Sequence, residues 1–175
     1  ARVFAREGAR VFLAGRTLAK LDTVAEQIRS AGGVAETARV DALDEKAVGE
    51  HADAVAQKAG SIDVSFNAIS IQDVQLIPLV DMSREDFMSP VVTGMTTHFL
   101  TARAVARHMA EQGSGAILTF SASAARAYFP GVHVGGFGIA CTAIEALTKQ
   151  LAAEVGQSGI RVNCLRSEGI PESWQ

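Results

Sequence analysis

The sequence predicts an α/β protein with a doubly wound, Rossmann-like parallel sheet, because strand patterns and helix patterns alternate along its length. Residues 115–121 and 159–165 are short apolar runs, typical of strands covered on both faces. Between them, apolar residues recur at helical spacing, at Ile144, Leu147, Leu151 and Val155. A strand, a long helix and a second strand make a parallel crossover unit.

The earlier part of the chain repeats this alternation. Strand patterns occupy 9–15, 34–40 and 61–66, and helix patterns begin near Thr17 and Asp44. A short helix is expected from Ser83, and a second, long helix from Pro90 to about Gln112, because proline is tolerated at a helix start. We expect the five strands to form one parallel sheet with right-handed crossovers and helices on both faces. Residues 1–175 are expected to form a single domain.

Composition excludes several classes of protein. The chain has 175 residues, of which 48% are hydrophobic, and a formal net charge of −3, so no basic field favours nucleic acid or an anionic membrane. No apolar run has the length of a membrane span, and the first residues lack the layout of a signal peptide. We expect a cytoplasmic protein whose two cysteines, Cys141 and Cys164, are reduced. The histidines lack metal-ligand spacing, so no metal site is expected.

The strand–helix–strand unit at 115–165 resembles the catalytic half of the short-chain dehydrogenase/reductase family. In that family the helix opens with Tyr-x-x-x-Lys, a spacing that puts the proton-donating Tyr and its cationic partner on one helix face. The same alignment places Phe137 at the Tyr position and Cys141 at the Lys position. Neither residue is expected to carry the standard chemistry, because a phenyl ring has no proton to give and a thiol has no positive charge.

The resemblance implies further residues near the reacting centre. A family Ser ends the strand before the helix, and Ser123 is the candidate substrate-orienting hydroxyl, with Ala122 nearly as good a match. Gly94 stands where the family has an Asn that helps to hold a relay water. His133 and Cys141 are candidate replacement proton donors, since an imidazole titrates in the useful range.

The resemblance also implies a dinucleotide cofactor. Arg16 follows the strand at 9–15, where a basic residue accepts the 2′-phosphate of NADP, so NADP(H) is expected over NAD(H). Asp41, followed by Ala42, is expected beside the adenine; the alternative is a turn or helix cap. The segment Asn67-Ala68-Ile69-Ser70 occupies the place of the family's Asn-Asn-Ala-Gly, which lines the cofactor's ribose; for Asn67 a structural turn role is the alternative.

The resemblance extends to the ends of the chain and to its assembly. The first residues resemble the segment directly after the family's Gly-rich motif, so we expect a fragment, and strands 9–15 and 62–66 are expected to flank the place of a further strand. Family members pair through the helices near 90–112 and 137–156. The resemblance therefore implies a homodimer or homotetramer that acts on a small molecule.

Three functions are consistent with these residues. The first is an atypical NAD(P)(H)-dependent oxidoreductase acting on a carbonyl, hydroxyl or enoyl substrate with a non-standard or degraded proton relay. The second is a catalytically silent dinucleotide-binding protein, serving as a sensor or partner subunit. The third, an interaction scaffold without a cofactor, is disfavoured by Arg16, Asp41 and Asn67.

Overall fold

A computed structural model describes residues 1–128 and 130–168, and the chain divides into two compact units, Ala1–Ser61 and Ile62–Gln175. The division falls in the connection between a helix and a strand. Whether the two units act as the single expected domain stays a prediction. In the described residues, every helix is too short or too polar to cross a membrane.

The first unit contains two strands and three helices. In chain order these are α1 (Arg2–Arg6), β1 (Arg10–Gly15), α2 (Leu18–Ser30), β2 (Val34–Arg39) and α3 (Glu45–Ala59). Strands β1 and β2 are parallel, with Arg10 opposite Val34 and Gly15 opposite Arg39. A small core of alanines and one isoleucine lies between the helices and this pair, formed by Ala5, Ala25, Ile28 and Ala35.

Local sequence explains where α3 lies. The Asp44 side chain accepts hydrogen bonds from the backbone N–H groups of Lys46 and Ala47, at 3.0 and 3.1 Å, which caps the helix. Gly60 ends it at φ +87°, a left-handed conformation that glycine adopts without steric cost. The carboxylate of Glu36 on β2 pairs with both Arg10 and Lys58. This ion-pair cluster ties both strands to the end of α3.

In its described residues, the second unit has three parallel strands and two long helices. They are β3 (Val64–Phe66), α4 (Arg84–Gln112), β4 (Gly115–Ala122), α5 (Gly135–Val155) and β5 (Ile160–Ser167), with sheet order β3-β4-β5. Helices α4 and α5 pack against each other and against β4 and β5. The buried residues of these helices and strands include Leu100, Met109, Ile117, Ile144 and Val162.

The prediction of a separate short helix before Pro90 is wrong, because α4 runs unbroken from Arg84 to Gln112 with Pro90 inside it. Ser83 caps it, accepting from Asp86 N–H at 3.0 Å. Proline removes one intrahelical hydrogen bond, but its ring is buried, and the backbone of Gly136 on α5 passes close to it. Packing between the two helices therefore offsets the lost bond.

The strands agree with the sequence prediction in direction, since every pair is parallel in the described residues. Strands β1 and β3 lie in separate hydrogen-bonded groups, which confirms that 9–15 and 62–66 do not pair directly. The described residues accordingly form two parallel sheets rather than one hydrogen-bonded sheet. The segment between β3 and α4 is irregular and contains Leu76 at φ +68°.

Candidate active site

The carboxyl end of β4 holds the polar residues nearest to the family's catalytic positions. Ser121 is buried, and its hydroxyl donates to Glu145 Oε1 at 3.0 Å. Ala122 is the last residue of β4, and Ser123 opens a 3-10 turn, Ser123–Arg126, where it is half-buried. The strand thus turns its Ser121 hydroxyl toward α5, whereas Ser123, the predicted substrate-orienting residue, lies just beyond the strand.

An ion pair joins α5 to β5 at the same edge. Arg166 Nε donates to Glu145 Oε1 at 2.7 Å, and its Nη2 donates to Oε2 at 2.5 Å, a two-point contact. Arg166 lies opposite Ser121 in the β4–β5 register, which explains why one carboxylate reaches both. The hydrogen bond from Arg166 holds the pKa of Glu145 below its usual range, so the carboxylate is ionised at neutral pH.

Cys141 is buried on α5, four residues before Glu145. Its side chain is 1% exposed and lies beside Ser121 and the Ala122 backbone. Burial raises the pKa of the thiol, while the Ala122 backbone and Ser121 act in the opposite direction and the charge of Glu145 adds to the increase. The thiol therefore stays protonated at neutral pH and supplies no positive charge in place of the family lysine.

The first turn of α5 lies very close to neighbouring backbone. Gly136 and Gly138 are buried: a Cβ on Gly136 would overlap the carbonyl group of Phe87, and one on Gly138 would lie 3.0 Å from Ala124 O. Phe137 stands between these glycines and is half-buried. The glycines thus let α5 begin against α4 and the turn after β4, which places position 137 at this edge.

Gly94, at the position of the family Asn, faces the same region from α4. A Cβ there would lie 2.8 Å from Ile71 Cδ1, so little space remains for a side chain. Its carbonyl oxygen accepts from His98 Nδ1 at 2.9 Å and from Thr97 Oγ1 at 3.2 Å. Side chains one turn further along α4 therefore occupy this carbonyl.

Asn67 braces the end of β3 against α4. Its Nδ2 donates to Thr97 O at 3.2 Å and to Thr101 Oγ1 at 2.8 Å, and its Oδ1 accepts from Ile69 N–H at 3.2 Å. The residue is 8% exposed. These bonds fit the alternative structural role, and they leave the two following residues, Ala68 and Ile69, more exposed at the strand end.

In the first unit, the predicted cofactor residues lie at the carboxyl end of β1 and β2. Arg16 directly follows β1 and is exposed; within 1–128 and 130–168 its guanidinium has no hydrogen-bond or ion-pair partner. Asp41 Oδ1 accepts from Leu43 N–H at 3.0 Å, the turn geometry that was the alternative prediction. Ala42, between Asp41 and Leu43 in this turn, is half-buried.

The predicted alternative donor His133 lies in the loop before α5. Its carbonyl oxygen accepts from Leu76 N–H at 2.8 Å, and in the described part of the chain no hydrogen bond connects its ring to Phe137 or Cys141. Tyr128 is 77% exposed and donates to Ala125 O at 2.9 Å. Among the described side chains, no group of three or more His, Cys, Asp or Glu is placed to hold a metal ion.

Sequence reasoning missed the pair Glu145–Arg166. The available signal was an acid inside the helix pattern and an arginine directly after the last apolar run, 21 residues apart. Either residue alone fits a solvated surface. Only the β4–β5 register shows that they meet beside Ser121.

These features define an α/β protein of Rossmann type: the strands are parallel, helices connect them, and polar side chains lie at the carboxyl ends of the strands. The family described as enoyl-(acyl carrier protein) reductase matches residues 1–172, and the chain belongs to the short-chain dehydrogenase/reductase family. It is 32% identical over 165 residues to gluconate 5-dehydrogenase of Gluconobacter oxydans, covering 94% of this chain and 63% of that protein. A 3-oxoacyl-[acyl-carrier-protein] reductase of Chlamydia pneumoniae is also 32% identical, over 164 residues, with 94% and 64% covered.

Solved structures agree with this assignment. An NAD⁺-bound xylitol dehydrogenase superposes with a TM-score of 0.89 at 27% identity, covering 99% of this chain and 66% of that one. A gluconate 5-dehydrogenase from Burkholderia cenocepacia, in complex with NADP and tartrate, gives a TM-score of 0.84 at 27% identity, with 96% and 64% covered. The chain thus spans less than two thirds of the length of the curated relatives given above.

Proposed function

We propose that this protein is an NADP(H)-dependent oxidoreductase of the short-chain type with an altered proton relay. The observation that carries the proposal is the exposed, unpartnered guanidinium of Arg16 at the carboxyl end of β1, within the described residues of a chain from this family. A guanidinium in that place suits the 2′-phosphate that distinguishes NADP from NAD. The substrate is a small molecule with a hydroxyl, carbonyl or enoyl group.

The residues present fit such a cofactor in part. In the first unit, Arg16 offers free N–H donors, and Asp41 and Ala42 form the turn after β2 where an adenine would lie. In the second unit, the Asn67 side chain is hydrogen-bonded to α4. Ala68 and Ile69 have apolar side chains, so mainly their backbone groups would be available to a ribose. When bound, a nicotinamide dinucleotide supplies or accepts a hydride. The protein must then bind the substrate and move one proton.

The proton step is where this chain departs from its family. Phe137 has no acidic hydrogen, and the raised pKa of Cys141 makes the thiol a weak acid. Glu145 is ionised, so it could accept a proton but not donate one at neutral pH. Ser123, directly after β4, is the hydroxyl we propose to orient the substrate, and His133 is the first donor to test. We expect slow turnover, because loss of a positioned acid costs about 10²- to 10⁴-fold.

Cofactor preference tests this proposal directly. We expect the protein to bind NADPH more tightly than NADH in titration calorimetry. Arg16→Ala should weaken NADPH by about tenfold or more, the value of a charge-assisted bond, and leave NADH unchanged. Arg2→Ala, another exposed arginine in the first unit, is the matched control and should change neither. Equal affinities for both cofactors in the unaltered protein would refute the preference.

A silent dinucleotide-binding protein is the second candidate, and a specific observation favours it. The Glu145–Arg166 pair and the buried Cys141 join α5 to β4 and β5 at the edge where the family places its catalytic lysine. NADPH oxidation measured against a panel of carbonyl and enoyl substrates separates the two candidates. Binding of NADPH without turnover of any substrate would support the silent protein.

We further propose that the protein is a cytoplasmic homodimer or homotetramer. Helices α4 and α5 expose apolar side chains, including Val92, Phe99 and Ile139, in the second unit. An exposed apolar stripe of this kind suits pairing of identical subunits about a two-fold axis.

A further inference from the structure

Three charged side chains cluster around one edge of the second unit. Arg166 is the second-last residue of β5, Glu145 lies on α5, and Arg126 ends the 3-10 turn that follows β4. All three follow or face the carboxyl ends of parallel strands, the edge at which open α/β sheets bind ligands. The proposed oxidoreductase reaction assigns no role to Arg126 or Arg166.

The guanidinium of Arg166 is held in a fixed orientation. Two hydrogen bonds to Glu145, of 2.7 and 2.5 Å, fix its plane, and the Ser121 hydroxyl fixes the carboxylate in turn at 3.0 Å. Glu145 is the more enclosed partner, with 14% of its side chain exposed against 34% for Arg166. Since a guanidinium has five N–H donors and Glu145 takes two, three remain for a ligand.

Arg126 brings a second cation to the same carboxylate. Thr142 Oγ1 donates to Ala125 O at 3.1 Å, which ties the turn that carries Arg126 to α5 one turn before Glu145. The positive charge of Arg126 also contributes to the lowered pKa of Glu145, so the two groups are near each other. Over the described residues, Arg126 makes no side-chain hydrogen bond or ion pair, and it is exposed.

Among these three side chains, Glu145 pairs directly with Arg166 and lies within range of the charge of Arg126, so two cations are set against one anion. Further acids are Asp73, whose charge acts on Cys141 and whose Oδ2 accepts from Gln75 Nε2 at 2.6 Å, and the exposed Glu168, two residues after Arg166. A pre-oriented guanidinium with spare N–H donors and a second cation beside it suits an oxyanion.

We propose that Arg126 and Arg166 form a subsite for an anionic group, a carboxylate or phosphate, of the small-molecule substrate. Glu145 is the positioning residue that orients Arg166, and Ser121 holds Glu145. The proposal rests on the proposed function only in taking this edge as the one where substrate binds. It therefore predicts a preference for acidic over neutral polyols that holds whether or not turnover occurs.

Equilibrium binding provides the test. Gluconate and D-glucitol differ only in a carboxylate against a CH₂OH group, and both are titrated calorimetrically at low ionic strength, with NADPH present. We expect gluconate to bind about tenfold or more tightly than D-glucitol, since a charged hydrogen bond is worth at least that factor. Arg126→Gln and Arg166→Gln should each remove most of the preference.

Matched variants and arms keep the result interpretable. Arg107→Gln on α4, an exposed arginine outside the cluster, should leave the preference unchanged. Arg166→Gln leaves the Glu145 carboxylate without its cationic partner. The double variant Glu145→Gln/Arg166→Gln avoids this, because it replaces the ion pair by two neutral amides that can bond to each other. Arg126→Gln needs no such partner variant, since it removes no hydrogen bond or ion pair of the described chain. A preference retained in all these variants would overturn the subsite, as would equal binding of both polyols by the unaltered protein.

Two further arms identify the source of the anion. Inorganic phosphate should compete with gluconate in the unaltered protein and not in Arg126→Gln. NADPH affinity should stay the same in Arg126→Gln. A loss of NADPH affinity without a loss of gluconate preference would assign these arginines to the cofactor's phosphates and refute a substrate subsite. If the unaltered protein prefers gluconate but does not bind NADPH, the cofactor proposal is refuted and the anion subsite stands.

Discussion

At position 141 a buried thiol stands where the family has a lysine, and its surroundings are built for a neutral group. Cys141 is 1% exposed and lies against Ser121 and the Ala122 backbone. Cys141→Lys should therefore lower the free energy of unfolding by about 3 kcal/mol or more, because an ammonium group would lose its water. Denaturant unfolding followed by circular dichroism measures the change.

Cys141→Ala is the control for Cys141→Lys. It removes the sulfur without adding charge and should cost about 1–2 kcal/mol, the loss of a small buried group. If Cys141→Lys is no more destabilising than Cys141→Ala, the carboxylate of Glu145 must pair with the new ammonium group at position 141. The lysine can then take the place of Arg166 as the partner of Glu145. Adding Phe137→Tyr to Cys141→Lys asks next whether the family pair restores NADPH oxidation.

His98 predicts a pH dependence of stability. It is 1% exposed, with Nδ1 bonded to Gly94 O; its Nε2 has no hydrogen-bond partner within the described chain, although the Phe120 backbone lies near it. Burial lowers the pKa of His98 from 6.5, so the folded protein holds it neutral. The unfolded chain therefore takes up the proton first, and stability present above about pH 6.5 is lost as the pH falls.

The size and origin of this dependence are measurable. One proton gives a slope of at most about 1.4 kcal/mol per pH unit. His98→Gln should reduce the slope between pH 6.5 and 5. His51, whose pKa burial also lowers, contributes with the same sign and accounts for part of the slope that remains. An unchanged slope in His98→Gln would show that the ring is protonated or solvated in the folded state.

Residue identities could be predicted from the sequence where they depend on local alignment. Phe137, Cys141 and Gly94 are visible as departures from the family pattern without any structure. The Ser121–Glu145–Arg166 contact was not predictable, because it depends on the register that sets Ser121 opposite Arg166 and on the rotation of α5. The internal use of Asn67 was likewise hidden, since its partners Thr97 and Thr101 lie 30 and 34 residues away.

At the scale of elements, the contact between α4 and α5 determines the extent of α4 more than helix propensity does. Proline inside α4 indicated a break, and the break did not occur because a buried contact compensates for one hydrogen bond. Strand positions were predictable, since apolar runs of about five to eight residues between glycines are typical of buried strands. The exact ends of β4 and β5 were not, because pairing between them extends each strand beyond its apolar run.

Two glycines in helices predict opposite effects of the same substitution. Gly136→Ala should lower the free energy of unfolding by about 1–3 kcal/mol or more, because its Cβ would overlap the backbone of Phe87 and lie 3.0 Å from Pro90 Cγ. Gly49→Ala, in the interior of α3, meets nothing within 4 Å and should raise it by about 0.5–1 kcal/mol. Thermal or denaturant unfolding of both variants measures the difference.

This pair tests the close crossing of α4 and α5 separately from glycine's general cost in helices. Gly156→Ala, directly after the last residue of α5 and with nothing within 4 Å, is the control at the opposite end of this helix from Gly136. If Gly136→Ala behaves like Gly156→Ala, the first turn of α5 does not lie against Phe87, and the position of Phe137 must be revised.

At the scale of the whole molecule, the second unit exposes large apolar side chains on both of its long helices. Met88, Val92 and Phe99 lie at positions i, i+4 and i+11 of α4, within one narrow stripe, and are 38%, 54% and 45% exposed. On α5, Ile139 is 45% exposed. A continuous apolar stripe on a long helix is typical of a surface that pairs with its own copy.

We predict a dimer or tetramer at tens of micromolar, measured by light scattering. Phe99→Glu should shift it toward the monomer, because two copies of the charge would face each other across a two-fold axis and lose water. Val80→Glu is the control, since Val80 is 91% exposed in the irregular segment before α4 and lies off the stripe. Both variants add the same charge to an exposed apolar residue, so only the location differs. A monomeric unaltered protein would contradict the prediction, and equal dissociation by both variants would move the interface away from α4.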